Sequence, residues 1–399
     1  MHEKLAINGG QPVRKDFLVF GSPAIEEAEI KEVDDTIRSG WLGTGPKTCK
    51  FEEDFKNYIG CKHAIALNSC TAGLHLALDA VGVSRGDEVI TTPMTFASTA
   101  NVVVHLGALP VFVDIDRETM NIDPSRIEQA ITSKTKAIVP VHMAGHPCRM
   151  DEITKIAKDH NIAVVEDAAH AIEARFKNMK VGNIGDITAF SFYVTKNVCT
   201  GEGGMVTTNN DAWAEEMRIK RLHGLSKDAW KRYSAEGFKP YEIIYAGYKY
   251  NMTDIQASLG IHQLARVEKN LRTREKYWEM YNKAFRDVPE IITPVEGKEI
   301  KHARHLYTIL IRPELLKIDR NYLIEALKAE NIGTGIHFVA LHLHKFYREA
   351  FGFKRGDFPN AEFVSDRTIS LPLTAKLTEN DVNDVIVAVK KVLAASRKT

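Results

Sequence analysis

Between residues 64 and 210 the chain repeats one pattern, a short apolar and β-branched run followed by a longer interval. The runs are "AIALN" (64–68), "EVITTP" (88–93), "PVFVDID" (110–116), "AIVPVHM" (137–143), "IAVVEDA" (162–168), "ITAFSFY" (187–193) and "GMVTTN" (204–209). Most are apolar at consecutive positions, so both faces need covering, as in buried parallel strands. The intervals between the first five runs have the length of crossover helices. In one, "TAGLHLALDAV" (71–81), Leu74, Ala77, Leu78 and Val81 share a helical stripe. Strand–helix–strand order predicts an α/β fold built on a doubly wound, mostly parallel sheet.

The flanks read differently. Ser22 and Pro23 read as the N-cap and first residue of a helix that turns Ile30, Val33 and Ile37 inward. From about residue 253, "MTDIQASLGIHQLARVEKNLRTREKYWEMYNKAF" (252–285) reads as long helical material. A second strand-and-helix region follows: "LYTILI" (306–311), a helix near 320–330, "GTGIHF" (333–338), and a closing helix after Thr378. A chain of 399 residues exceeds a typical single core. We therefore expect a large domain over 1–262 and a smaller C-terminal α/β domain over 263–399. The polar, aperiodic tract "SKDAWKRYSAEGFKPYE" (226–242) reads as a long mobile loop.

Composition removes several function classes. With 53 basic and 52 acidic residues, nothing favours nucleic acid or an anionic membrane surface. No window approaches the roughly 20 apolar residues of a membrane span, and the first residues lack the apolar core of a secretory signal. Cys49, Cys61, Cys70, Cys148 and Cys199 are scattered, odd in number and without C-x-x-C spacing. That argues against a zinc site or a disulfide framework and for a reducing cytoplasm.

In open α/β sheets, ligands bind beyond the carboxyl ends of the strands. After the first run, "NSCTAG" opens a helix at Ser69, Cys70 and Thr71, a ready phosphate site or a plain cap. After the second, Phe96 in "MTFAST" offers a flat aromatic face or packs in the core. After the fifth, "EDAAHA" ends an apolar strand on Asp167, which needs a cationic or hydrogen-bonding partner, with His170 three residues on. After the sixth, "SFYVTKNVCTGEGG" carries Ser191 and then Lys196, a side chain that forms Schiff bases once desolvated. Each feature alone has a bland explanation. Together they are the set that pyridoxal 5'-phosphate (PLP) needs: a phosphate cradle, an aromatic face, a carboxylate for the pyridine nitrogen and a lysine for the aldehyde. The tract "GWLGTGPKT" (40–48) lacks an adjacent G-K-[ST] and follows a helix, so it is not a P-loop.

These motifs, with "GDEVITTPMTF", "PVHMAGHP", "GYKYNMTDIQASLG" and "GIHF", resemble the DegT/DnrJ/EryC1/StrS family of PLP-dependent sugar aminotransferases over nearly the whole chain. The resemblance implies the aspartate aminotransferase fold (fold type I). It implies that Lys196 condenses with the cofactor and that Asp167 faces its pyridine nitrogen. Phe96 would stack on the ring, His170 would lie near its phenolic oxygen, and Cys70, Thr71 and Ser191 would hold the phosphate. Asn251 matches an asparagine that reaches the phosphate from a neighbouring subunit, so a homodimer is implied. His337 matches a histidine beside the substrate. Glutamate would donate the amine and a keto nucleotide sugar would accept it. Stretches such as "RLHGLSKDAWKRY" are similar to the UDP-sugar C4 aminotransferases, including the one that makes 4-amino-4-deoxy-L-arabinose for lipopolysaccharide. Three alternatives stay open at this point: amination at C3, sugar dehydration (which that branch performs with histidine in place of the lysine), and a non-catalytic regulator on the same fold.

Overall fold

The computed structural model describes residues 4–225 and 242–398. The tract expected as a mobile loop therefore lies outside the described residues, except for Glu242. Helices α1 (Glu27–Ser39) and α2 (Pro46–Ile59) come first. They are followed by β1 (His63–Leu67), α3 (Cys70–Ala80), β2 (Glu88–Thr91), α4 (Ala97–His105) and β3 (Leu109–Phe112). Next are β4 (Thr135–Ile138), α5 (Met150–Asp159) and β5 (Ala163–Asp167). A short hairpin, β6 (Arg175–Phe176) and β7 (Met179–Lys180), precedes β8 (Ile187–Ser191), β9 (Gly204–Thr208) and α6 (Asp211–Lys220).

The seven predicted runs form one seven-stranded sheet, in the order β1-β9-β8-β5-β4-β2-β3. Five strands, from β8 to β3, pair in parallel, while β9 is antiparallel to both of its neighbours. Because β9 runs backwards, β1 still points the same way as β8. The carboxyl ends of β1, β2, β4, β5 and β8 therefore share one edge. The β8–β9 connection stays at that edge, since an antiparallel return needs no crossover. Lys196 lies in this connection.

Several local expectations need correction. Helix α1 begins at Glu27, capped by the reciprocal Glu26/Glu29 bonds, not at Pro23. Two of the three residues expected inward do not face the core, Ile30 being 54% and Ile37 55% exposed, while Val33 is half-buried. The stripe on α3 is not one-sided, because Ala72, His75, Leu76 and Ala80 are buried along with Leu74, Ala77 and Leu78. Val81 falls just past the helix end. No α-helix joins β3 to β4, where two 3-10 turns (Pro124–Arg126 and Glu128–Ala130) serve instead. "GTGIHF" is not a strand; its ladder contact is a single bridge between Gly335 and Ser370. The rejection of a P-loop at 40–48 stands, because Asp254 accepts hydrogen bonds from the backbone N–H groups of Gly45, Lys47 and Thr48 at the start of α2. Those donors are spent, which removes any anion site from the P-loop-like tract.

In the second described stretch, α7 (Asp254–Ala265) packs on α1 and α2 and runs through Arg266 into α8 (Val267–Phe285). Position 262 lies inside α7. Beyond come β10 (Ile291–Ile292), β11 (Ile300–Lys301), β12 (Tyr307–Ile311), α9 (Arg320–Ala329), α10 (Lys345–Phe351), α11 (Pro359–Ser365), β13 (Thr368–Leu371) and α12 (Glu379–Ser396). Strands β10, β12 and β13 form a second, antiparallel sheet. Its core joins Trp278 and Tyr281 of α8 to Tyr307 and to Val385, Val389 and Val392 of α12.

A cluster of aromatic side chains backs the strand that leads to Lys196. Phe51 and Phe55 of α2 meet Phe190 and Phe192, with ring centroids 5.1–5.6 Å apart, and all four are fully buried. Offset and edge-on rings of this kind add to the burial energy. Phe55→Ala is expected to cost about 3–5 kcal/mol through lost burial and a residual cavity, read as a drop in the urea midpoint of the purified protein.

Candidate active site

A cavity of about 440 Å³ opens at the shared carboxyl edge of the sheet. Eight of the nine expected positions line it: Cys70, Thr71, Phe96, Asp167, His170, Ser191, Lys196 and His337. They come from five separate places in the chain. The ninth, Asn251, does not line it. Its Nδ2 donates to Thr44 Oγ1 at 2.7 Å, and Thr44 is not among the lining residues either.

The phosphate corner is the N-terminus of α3. Ser69 accepts from the Ala72 N–H, so the capping reading holds for that hydroxyl. The N–H groups of Cys70 and Thr71 are left at the positive end of the helix. Gly204 lets this end approach β9: a Cβ there would lie 2.4 Å from the Ser69 carbonyl carbon and 2.6 Å from the Cys70 nitrogen. Gly201, with φ +80, takes the left-handed conformation that turns the loop back towards β9. Gly203 lines the cavity itself, beside Ser191.

Asp167 ends β5 buried. Thr99 Oγ1 donates to its Oδ2 at 2.8 Å and the Ala169 N–H to its Oδ1 at 3.1 Å. Burial raises its pKa, and these bonds together with Lys196 pull it back. A carboxylate takes about four hydrogen bonds. Asp167 therefore has acceptor capacity left inside the cavity, in a place where unpaired charge is costly. Lys196 is the matching cation. Burial lowers its amine to about 8, against the opposing pull of Cys70 and Asp167. Among the described residues that amine makes no ion pair.

Three neutral histidines surround the lysine. His170 accepts the Ala144 N–H on Nδ1 at 3.2 Å, which leaves the ring proton on Nε2. Burial holds it well below the usual histidine range. His337, bonded to Ser370 Oγ at 2.8 Å, is pushed down to about 4 by burial and by Lys196. His305 packs against His170, with ring centroids 4.5 Å apart and the planes tilted by 37°. Phe96 is 63% exposed although it sits at the start of α4, and its neighbour across the cavity is Phe338, with centroids 6.1 Å apart.

This arrangement fits PLP on structural grounds. It offers an N–H corner for a phosphate, a bare aromatic face, a buried carboxylate with an open acceptor and an unpaired amine of lowered pKa. Sequence reasoning passed over Thr99, Phe338 and Glu202. Thr99 could have been found, because it follows Phe96 by one helical turn in "MTFAST" and so faces the same edge. Phe338 and Glu202 carry no local signal. Their place in the cavity depends on how the C-terminal segment and the β8–β9 loop fold over it.

Only a neutral amine condenses with an aldehyde. The rate at which the cofactor-free protein takes up PLP should therefore rise about tenfold per pH unit below the lysine's pKa and level off above it. The midpoint is expected near 8 for Lys196, followed by the growth of visible absorbance. A midpoint at the ordinary lysine value, roughly 10.4, would contradict the desolvated amine.

Comparison with known proteins bears on the chain as a whole. Residues 23–390 match the DegT/DnrJ/EryC1/StrS aminotransferase family. The chain is 60% identical over 385 residues to uncharacterized protein MJ1066 of Methanocaldococcus jannaschii, covering 96% of this chain and 100% of that one. It is 49% identical over 381 residues to the spore coat polysaccharide biosynthesis protein SpsC of Bacillus subtilis, covering 95% and 98%. Among solved structures, Spr1654 from Streptococcus pneumoniae in its PMP-form superposes with a TM-score of 0.89 at 36% identity, covering 95% of this chain and 99% of that one. Its PLP-form superposes with a TM-score of 0.88. The chain belongs to the DegT/DnrJ/EryC1/StrS aminotransferase family and is a PLP-dependent aminotransferase of fold type I.

Proposed function

We propose that this enzyme moves an amino group from glutamate to a keto sugar carried on a nucleotide, at C4 of a UDP-linked sugar, in the assembly of a cell-surface polysaccharide such as lipopolysaccharide. The observation that carries the transaminase reading is Lys196: an unpaired amine of lowered pKa in the same cavity as the buried Asp167 carboxylate. The likeness to SpsC, a spore coat polysaccharide biosynthesis protein, supports the sugar. The open, aromatic mouth formed by Phe96 and Phe338 suits a ring with an apolar face. Bound here, PLP supplies the electron sink that makes the donor's α-proton acidic. Lys196 holds the cofactor, then removes that α-proton with Nζ and later returns protons to the acceptor carbon. Asp167 keeps the pyridine nitrogen protonated. Cys70, Thr71 and Ser191 would hold the phosphate, Phe96 would cover the ring, His170 would offer its Nε2 proton to the phenolic oxygen, and His337 would serve the sugar. Five free thiols support a reducing cytoplasm as its setting, and among the described residues no helix is long and apolar enough to cross a membrane. We also assign residues 1–262 and 263–399 to the large and small domains of the fold.

The test offers the amine-loaded enzyme a panel of 3-keto and 4-keto nucleotide sugars and follows return of the visible band. The 4-keto UDP sugar is expected to restore it, and Lys196→Ala is expected to abolish both band and turnover. A Lys196→Ala protein that kept both would sink the assignment, and return of the band only with a 3-keto sugar would move amination to C3.

We further propose a homodimer in which Asn251 serves the partner's phosphate corner. Asn251 stands outside its own cavity, and Ile30, Ile37 and Trp41, each more than half exposed, supply apolar surface to cover. Mixing Lys196→Ala with Asn251→Ala subunits should regenerate one intact site per mixed dimer. If activity did not recover on mixing, Asn251 would belong to its own chain's site or to none.

A further inference from the structure

Asn197, the residue after the lysine, has its side-chain amide engaged on both sides. Nδ2 donates to Glu173 Oε2 at 2.8 Å and to the Ala303 carbonyl at 3.0 Å. A carboxylate and a carbonyl can both accept those bonds, so the orientation of the amide is set. Oδ1 then faces the remaining partner, His305 Nδ1, at 3.0 Å. An amide oxygen cannot donate, so His305 carries its proton on Nδ1. Burial keeps that ring neutral, with its pKa well below the usual range.

The partners of Asn197 are themselves tied to distant parts of the chain. Glu173 is fully buried and pairs with Arg274 of α8. Arg274 Nε donates in turn to the Arg304 carbonyl at 3.1 Å. Glu173 follows β5 and Ala303 and His305 precede β12, so two separate segments converge on one amide, and Arg274 of α8 braces the Glu173 side. A buried ion pair adds little net stability over packed apolar side chains. A planar amide, guanidinium and imidazole, each with its bonds made, do impose a single direction on the backbone they hold. That backbone is the turn closed by the Lys196 N–H on the Tyr193 carbonyl at 2.8 Å.

We propose that Asn197 is a positioning residue for Lys196: tied to Glu173, Ala303 and His305, it holds the lysine's turn so that the amine stays inside the cavity. This rests on the reading of Lys196 given above. The groups facing that amine are Asp167, Cys70, His170, His305 and His337. None of them is removed by changing Asn197, and its loss acts through the turn.

The test uses the full chain with Asn197→Ala, His305→Leu and His305→Gln, where glutamine keeps an N–H for Oδ1. In Asn197→Ala and His305→Leu the released amine reaches water, so the pH midpoint of PLP uptake by the cofactor-free protein should rise towards the ordinary lysine value. Turnover of the loaded enzyme should fall by about 10²-fold, the scale of a small misplacement of a reacting group, with the donor KM unchanged. His305→Gln should keep the wild-type midpoint. A wild-type midpoint in Asn197→Ala and His305→Leu overturns the proposal whatever their thermal stability. If Asn197→Ala does not fold, the leucine and glutamine variants decide it alone: equal midpoints overturn it, and a rise in leucine only supports it. A wild-type protein that forms no visible band would instead overturn the reading of Lys196.

Discussion

A carboxylate and an amine share one cavity at the edge of the main sheet, and among the described residues neither makes an ion pair. Asp167 is held by Thr99 and a backbone N–H, and Lys196 is desolvated to the point where its amine titrates near 8. Both charges are costly to bury alone. The surrounding structure serves to keep these groups apart from water and from each other, ready for a ligand that meets both. PLP is such a ligand, with a basic ring nitrogen at one end and an aldehyde near the other.

The topology makes this arrangement possible. Parallel strands bring β1, β2, β5 and β8 to the same edge, and β9 closes the sheet by running back between β1 and β8. That reversal keeps the Lys196 loop at the ligand edge. Gly204 lets β9 lie directly under the N-terminus of α3, so the phosphate corner and the lysine are neighbours. Behind them, the phenylalanines of α2 and β8 fill the space with rings that tolerate little movement. In front, the segment from Ala303 to His305 and the residues around His337 bring the C-terminal part of the chain over the cavity.

Much of this was legible in the residues. Seven β-branched runs became seven strands, because an apolar run that needs cover on both faces has few other solutions. The positions just past the strand ends became the cavity lining, because the ligand edge of a parallel sheet follows from chain direction alone. Other readings failed for identifiable reasons. Ile30 and Ile37 have helical spacing, yet periodicity cannot tell a face turned to the core from one left at the surface. The interval between β3 and β4 was long enough for a helix and folded as 3-10 turns. "GTGIHF" had strand composition and made only one bridge.

By itself, then, the sequence determined the sheet, its ligand edge and the residue types carried there, because those follow from local pattern and chain direction. Only the tertiary structure decided the state of those residues. The neutral tautomers of His170 and His305, the lowered pKa of Lys196 and the Thr99 bond to Asp167 all arise from contacts between segments tens to more than a hundred positions apart. No window of sequence contains both partners of such a contact. The setting of Asn197 shows this best: beside Lys196 it reads as an ordinary loop residue, and only the folded chain brings Glu173, Ala303 and His305 to its amide.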